Sequence, residues 1–205
     1  FPDDMFVAAT KCGVLDAAML APIKKELSAI KPMSPIYDPA YIKNIKALNP
    51  KKGKTKMDLA QQVMADIENF KKKNGCDRVV MLWCGSTERL PQHSPCHDDV
   101  DAFEKGLRDN DPAIPPSMIY AYAAIKLGMA YGNGAPNLSG DVPALVELAE
   151  QTGSPICGKD FKTGQTLMKT TIAPMLKARM LALTGWYSTN ILGNRDGEVL
   201  DDPGS

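Results

Sequence analysis

Apolar residues fall along the chain in two patterns: stretches at helical spacing, and short runs that are almost wholly apolar. Residues 5–30 carry Met5, Phe6, Ala9, Leu15, Ala18, Met19, Leu20, Ile23, Leu27 and Ile30, which predicts two short helices divided near Gly13. Residues 31–40 hold three prolines and read as a loop or short extended piece. The clearest helix is 56–74, where Leu59, Val63, Ile67 and Phe70 recur on one face and Gly75 is placed to stop it. The run Val79-Val80-Met81-Leu82-Trp83 then reads as a strand buried on both faces.

Further along, Asp98–Arg108 is a polar helix. Ile114–Leu127 is a more apolar one, with Pro115 and Pro116 suited to its first turn. Ala130-Tyr131 is a very short strand entering the tight turn Gly132–Pro136. Asp141–Glu150 is a helix with Val142, Leu145, Val146 and Leu148 inward, and Gly153 ends it. Pro155–Cys157 is another short buried strand, Gly158–Thr166 a polar loop opening a helix to about Lys177, and Met180–Asn190 has strand character. Helix–strand units in this order predict an α/β fold with a parallel sheet covered by helices.

Composition narrows the class. In 205 residues there are 24 Lys plus Arg against 24 Asp plus Glu, so no basic excess points to nucleic acid or acidic membrane as a partner. Apolar residues make up 44% and charged residues 23%, which are globular values. No apolar run reaches the length of a membrane span, and the given sequence does not begin with a basic stretch followed by an apolar signal core. The five scattered cysteines fit reduced thiols and a cytoplasmic setting better than a disulfide framework. Because it starts at Phe1 and ends on DDPGS, the chain is expected to be an interior piece of a longer protein.

In a parallel sheet, ligands bind beyond the carboxyl ends of the strands. Three polar loops follow the expected strands there: Cys84-Gly85-Ser86-Thr87-Glu88-Arg89, Asn133–Asn137 and Gly158–Thr166. Together they predict a shared cleft. The third loop places Asp160, Lys162, Gln165, Thr166 and Lys169 at a helix start, which suits a phosphate group or simply a capped helix with surface lysines. The basic segment 41–55 is either a solvated loop or a phosphate-facing lid. His93, Cys96 and His97 lack a four-ligand zinc spacing, and no metal site is assigned. A phosphate-binding loop of the Walker type and a GxGxxG fingerprint are both missing from the sequence.

The stretches VVMLWCGSTER (79–89), GNGAPNLSGDVPALVELAE (132–150), GKDFKTGQTLMK (158–169) and STNILGNRDG (188–197) resemble those of the myo-inositol-1-phosphate synthase family in its bacterial form, with weaker similarity at PMSPIYDPAYI (32–42). The resemblance implies part of a Rossmann-like NAD-binding domain over 1–166, then the start of an α+β catalytic and tetramerisation domain over 167–205. It implies an NAD-dependent isomerase that converts D-glucose 6-phosphate to 1D-myo-inositol 3-phosphate by oxidation, enolisation, intramolecular aldol closure and reduction. It also implies a monovalent or divalent cation and a homotetramer. The rivals are another NAD-dependent sugar-phosphate dehydrogenase on the same scaffold and a non-catalytic nucleotide-binding relative.

Carried over by motif, the cofactor-side residues are Ile36, Cys84, Gly85, Ser86, Thr87, Gly134, Asp160, Thr163, Asn194, Arg195 and Asp196. The candidates for positioning and catalysis are Asp160, Lys162, Asn190 and Asp196. The sequence departs from the family pattern in three of these regions and at KNIK (43–46). Lys159 replaces an acid, Cys84-Gly85-Ser86 replaces Thr-Ala-Asn, Arg195 stands where asparagine is frequent, and KNIK replaces AANQ, so no contact is carried over at 43–46.

Overall fold

The computed structural model describes residues 4–13, 15–85, 87–161, 164–187 and 196–203. Three short helices, α1 (Met5–Cys12), α2 (Ala17–Leu20) and α3 (Lys24–Ala29), with a single 3-10 turn at Ala21–Ile23, replace the two helices expected before residue 30. After an irregular stretch, α4 (Lys56–Asn74) runs as expected. Its start is fixed by a reciprocal cap: the Asp58 N–H donates to Thr55 Oγ1 at 3.1 Å, and the Thr55 N–H donates to Asp58 Oδ2 at 3.0 Å.

Strand β1 (Val80–Trp83) leads through a long loop to α5 (Val100–Asp109) and α6 (Pro116–Lys126). Strand β2 (Ala130–Asn133), helix α7 (Pro143–Thr152) and strand β3 (Ile156–Cys157) follow, then α8 (Gly164–Ala178) and α9 (Asp196–Leu200). The sheet has the order β1-β2-β3 and both pairings are parallel. Val80 to Trp83 lie opposite Ala130 to Asn133, and Tyr131 and Gly132 opposite Ile156 and Cys157. The α/β class with a parallel sheet is therefore as the sequence pattern predicts.

The core lies where α4, α5, α6 and α7 meet, around Val63, Phe103, Leu107, Ile119, Leu145 and Leu148. Helix α6 packs against α4, α7 and β2 at once, which is why Ser117, Met118, Ile119 and the whole run Ala121–Ile125 are buried.

Several expectations are corrected. Strand β1 is covered on one face only: Met81 and Trp83 pack against the core, but Val80 and Leu82 are 61% and 60% exposed. A parallel strand needs layers on both sides to bury both faces, and the core of α4–α7 lies against Met81 and Trp83. Strand β3, expected to be buried, likewise leaves Cys157 exposed. Phe70 belongs to the helical stripe of α4 by spacing, yet it is exposed, because the last turns of α4 run past the core. Strand β2 extends through Gly132 and Asn133, which the sequence pattern assigns to the turn. Residues 181–187 form no strand and are exposed, since no described strand pairs with them; 188–190 of that expected strand lie outside the described residues. No described helix is long and apolar enough to cross a membrane.

Candidate functional site

All three strands run in the same direction, so the loops after Trp83, Asn133 and Cys157 leave the sheet at one edge. Backbone hydrogen bonds join them in sequence. The Gly134 N–H donates to Trp83 O at 2.9 Å, the Phe161 N–H to Gly134 O at 3.3 Å, and the Asp160 N–H to Ala135 O at 3.1 Å. The three loops thus meet through the backbone of Trp83, Gly134, Ala135, Asp160 and Phe161.

Two glycines make the approach possible. Gly158 has φ +89, and a Cβ there would stand 2.4 Å from Asn133 O. A Cβ on Gly134 would meet the Phe161 ring and stand 2.8 Å from Trp83 O. Asp160 itself adopts φ +68, an unusual conformation for a residue with a side chain.

Behind the loops lies a buried polar network that sequence reasoning did not assign. Asn137 Oδ1 accepts from Asn133 Nδ2 at 3.0 Å, from the Ser139 N–H at 3.0 Å and from Ser139 Oγ at 2.6 Å. Tyr131 OH completes the chain at 2.6 Å from Ser139 Oγ. Glu88 is 7% exposed, and its Oε1 accepts from the Ser117 N–H at 3.0 Å in the first turn of α6. Pro115 and Pro116 carry no N–H and the Met118 N–H bonds to Pro115 O, so it is the Ser117 N–H, with the positive end of the helix dipole, that meets the carboxylate. Burial nevertheless dominates and pushes the Glu88 carboxyl up to about 7; Asp38 adds to the rise and the Ser117 bond opposes it.

Glu88 Oε2 and Asn137 Nδ2 are buried without a hydrogen-bond partner among the described residues. Both residues line a cavity of about 160 Å³ with Thr87, Leu90, Ala135 and Pro136. Glu88 and Asn137 stand in the first two polar loops, and an Asn-x-x-x-Asn-x-Ser sequence after a strand was the available signal.

The remaining sequence candidates divide clearly. Ile36 is buried in the core cluster, with its N–H donating to Tyr120 OH at 3.0 Å; the Tyr120 ring packs on Trp83 at 5.4 Å between centroids. Ser86, Lys162, Thr163, Asn190, Asn194 and Arg195 lie outside the described residues, and for Asp196 only the backbone, at the start of α9, is described. His97 Nε2 donates to Ala113 O at 2.9 Å and His93 pairs with Asp98. No group of three or more potential metal ligands occurs among the described residues.

Two departures from the family pattern have structural partners. Lys159 Nζ lies 3.2 Å from Asp141 Oδ2. In KNIK, Lys43 Nζ lies 2.8 Å from Asp202 Oδ1, and Asn44 Nδ2 donates to Glu198 O at 2.7 Å. The segment without transferable contacts is therefore the one that holds α9.

Comparison with known proteins gives a consistent picture. A family model described as Myo-inositol-1-phosphate synthase matches residues 1–193. Inositol-3-phosphate synthase 1 of Bacteroides thetaiotaomicron is 50% identical over 204 residues, covering 99% of this chain and 48% of that protein. Inositol-3-phosphate synthase of Saccharomyces cerevisiae is 34% identical over 212 residues, covering 98% of this chain and 40% of that protein. A crystal structure of inositol-3-phosphate synthase from Caenorhabditis elegans superposes with a TM-score of 0.82 at 29% identity, covering 87% of this chain and 35% of that one. The chain spans about half, or less, of the length of these relatives.

Proposed function

The chain belongs to the myo-inositol-1-phosphate synthase family, and from that membership we propose that it forms the NAD-binding part of an inositol-3-phosphate synthase acting on D-glucose 6-phosphate. The observation that carries this reading is 50% identity, over 99% of the chain, to a bacterial protein of that name. The geometry is compatible with a dinucleotide, because three loops rich in small and polar residues are joined at the carboxyl ends of parallel strands.

In this reading Cys84, Gly85 and Thr87 present the first loop to the cofactor, and Gly134 lets it approach the backbone. Asp160, held to Ala135 by its backbone, positions the cofactor or the sugar. Ser86, Lys162, Thr163, Asn190, Asn194, Arg195 and Asp196 complete the proposed set by motif. Lys162 is the candidate for meeting phosphate or developing negative charge. When bound, NAD supplies a hydride acceptor that later returns the hydride, so the net reaction is an isomerisation. The domain change near residue 167, a cytoplasmic setting, a homotetramer and a monovalent or divalent cation belong to the same proposal.

The test is product analysis on the full-length protein with glucose 6-phosphate, catalytic NAD and a cation. Inositol phosphate seen by phosphorus NMR, without NADH build-up in absorbance, supports the reading. NADH build-up without inositol phosphate identifies a net dehydrogenase, and neither signal from a folded protein identifies a non-catalytic relative. In the full-length protein Asp160→Ala is expected to abolish turnover with an unchanged far-UV spectrum; near-normal turnover removes Asp160 from the site.

A further inference from the structure

The strand-end cavity is lined by two residues whose buried polar atoms, of opposite character, have no hydrogen-bond partner among the described residues. Glu88 Oε2 is an acceptor and Asn137 Nδ2 is a donor. Each is fixed by its other end. Asn137 Oδ1 takes three donors, which forbids the flipped amide and leaves Nδ2 as the free end. The other carboxylate oxygen of Glu88 is held by the Ser117 N–H. Unpaired buried polar atoms are costly, because they give up hydrogen bonds to water without replacement, so a pair of them fixed against one cavity is an unusual arrangement.

The chemistry of the lining selects the ligand group. A phosphate would meet the Glu88 carboxylate, and among the described residues no Lys or Arg lines the cavity to offset it. A metal cation would meet the N–H of Asn137. A hydroxyl both donates and accepts, and a neutral group suits a carboxyl without a counter-ion. Of the remaining lining, Thr87 carries a hydroxyl, while Leu90, Ala135 and Pro136 are apolar and match the C–H face of a sugar ring.

We propose that Glu88 and Asn137 form a hydroxyl-recognition site, in which Glu88 Oε2 accepts from, and Asn137 Nδ2 donates to, hydroxyl groups of a sugar ring. The inference rests on the function proposed above, where two sugars approach this edge: a ribose of the dinucleotide and the sugar-phosphate substrate. Glu88 and Asn137 act by direct contact, and the neighbouring Ser117, Asn133 and Ser139 position them.

The experiment uses the full-length protein, wild type and Glu88→Gln. Dissociation constants are measured calorimetrically for NAD and its single-deoxy ribose analogues. They are then measured for glucose 6-phosphate and its single-deoxy analogues on the NAD complex. The expected result is that the wild type binds at least one deoxy analogue about tenfold more weakly than its parent, and that Glu88→Gln, whose cavity-facing Nε2 donates where the carboxylate accepts, changes that ratio several-fold. A response in the NAD series assigns the site to the cofactor, and one in the sugar series assigns it to the substrate. If Glu88→Gln fails to fold, Asn137→Asp, which keeps Oδ1 and replaces only the Nδ2 end, takes its place. The inference is overturned if the wild type distinguishes no analogue from its parent, or if the discrimination survives unchanged in the variant. A protein that turns over glucose 6-phosphate yet treats all analogues alike loses this site and keeps the proposed function. A folded protein that binds neither NAD nor glucose 6-phosphate loses both.

Discussion

The N–H of Gly134 donates to the carbonyl of Trp83 at 2.9 Å, continuing the β1–β2 ladder one residue beyond the sheet. This bond holds the first two loops edge to edge, and the Phe161 ring packs on the face of Gly134 where a side chain would otherwise stand. Gly134→Ala is expected to cost about 1–3 kcal/mol and to weaken NAD binding in the full-length protein. Adding Phe161→Ala should restore only part of the stability, because the Trp83 carbonyl would still crowd the new methyl group at 2.8 Å. Urea denaturation of the single and double variants checks this, and full recovery in the double variant would locate the whole clash in the ring.

Gly158→Ala combines a positive φ of +89 with a backbone collision at Asn133 O. Neither can be relieved by moving a flexible side chain. The expected loss is about 2 kcal/mol or more, visible as a lower urea midpoint with an unchanged slope.

Glu88 supplies a pH signature. Its carboxyl is raised from 4.5 to about 7 in the fold, so between those values the folded chain binds more protons than the unfolded one. Its contribution to stability is full below about pH 4.5 and is lost as pH rises to about 7. Asp38 adds to the rise of this carboxyl, and the Glu88 charge in turn shares in raising the proton affinities of Tyr41, Tyr120 and Tyr131. Wild type is therefore expected to lose on the order of 2 kcal/mol more than Glu88→Gln across that window. Parallel pH titrations of unfolding free energy would show it, and coincident curves would count against a buried, raised carboxyl.

Lys56 ties the start of α4 to the segment before α6, with Nζ donating to Asp111 O and to Ile114 O, each at 2.7 Å. Burial lowers its proton affinity, although Asp38 and Asp111 oppose the shift. Lys56→Met keeps most of the stem but strands two carbonyls, and a loss of about 1–3 kcal/mol is expected in thermal or urea unfolding.

The ion pair of Lys43 with the largely buried Asp202 docks the segment after α9. Either Lys43→Asp or Asp202→Lys should raise amide exchange over 197–203, and the exchanged pair should lower it again. Hydrogen-exchange mass spectrometry reads this directly, and an unchanged exchange rate in the single variants would show that other contacts, among them the buried Val199 and the Asn44–Glu198 hydrogen bond, hold the segment without this ion pair.

Local sequence determined much of this protein. The spacing of Leu59, Val63 and Ile67 between Thr55 and Gly75 defines α4 nearly to the residue, since periodicity and caps act within a few residues. The alternation of helices and short apolar runs sets the parallel α/β class, and that class alone brings the three loops to one edge. Tertiary structure decided the rest. Only packing leaves Val80, Leu82 and Phe70 exposed, because burial depends on which layer covers a face and not on the apolar character of the residue. The run from Met180 has strand composition, but a strand requires a hydrogen-bonding neighbour, and none of the described strands pairs with 181–187. Glu88 reads in sequence as one polar residue in a turn; its carboxyl is buried because α6, β2 and the second loop close around it, and desolvation is a property of that assembly and not of the sequence nearby.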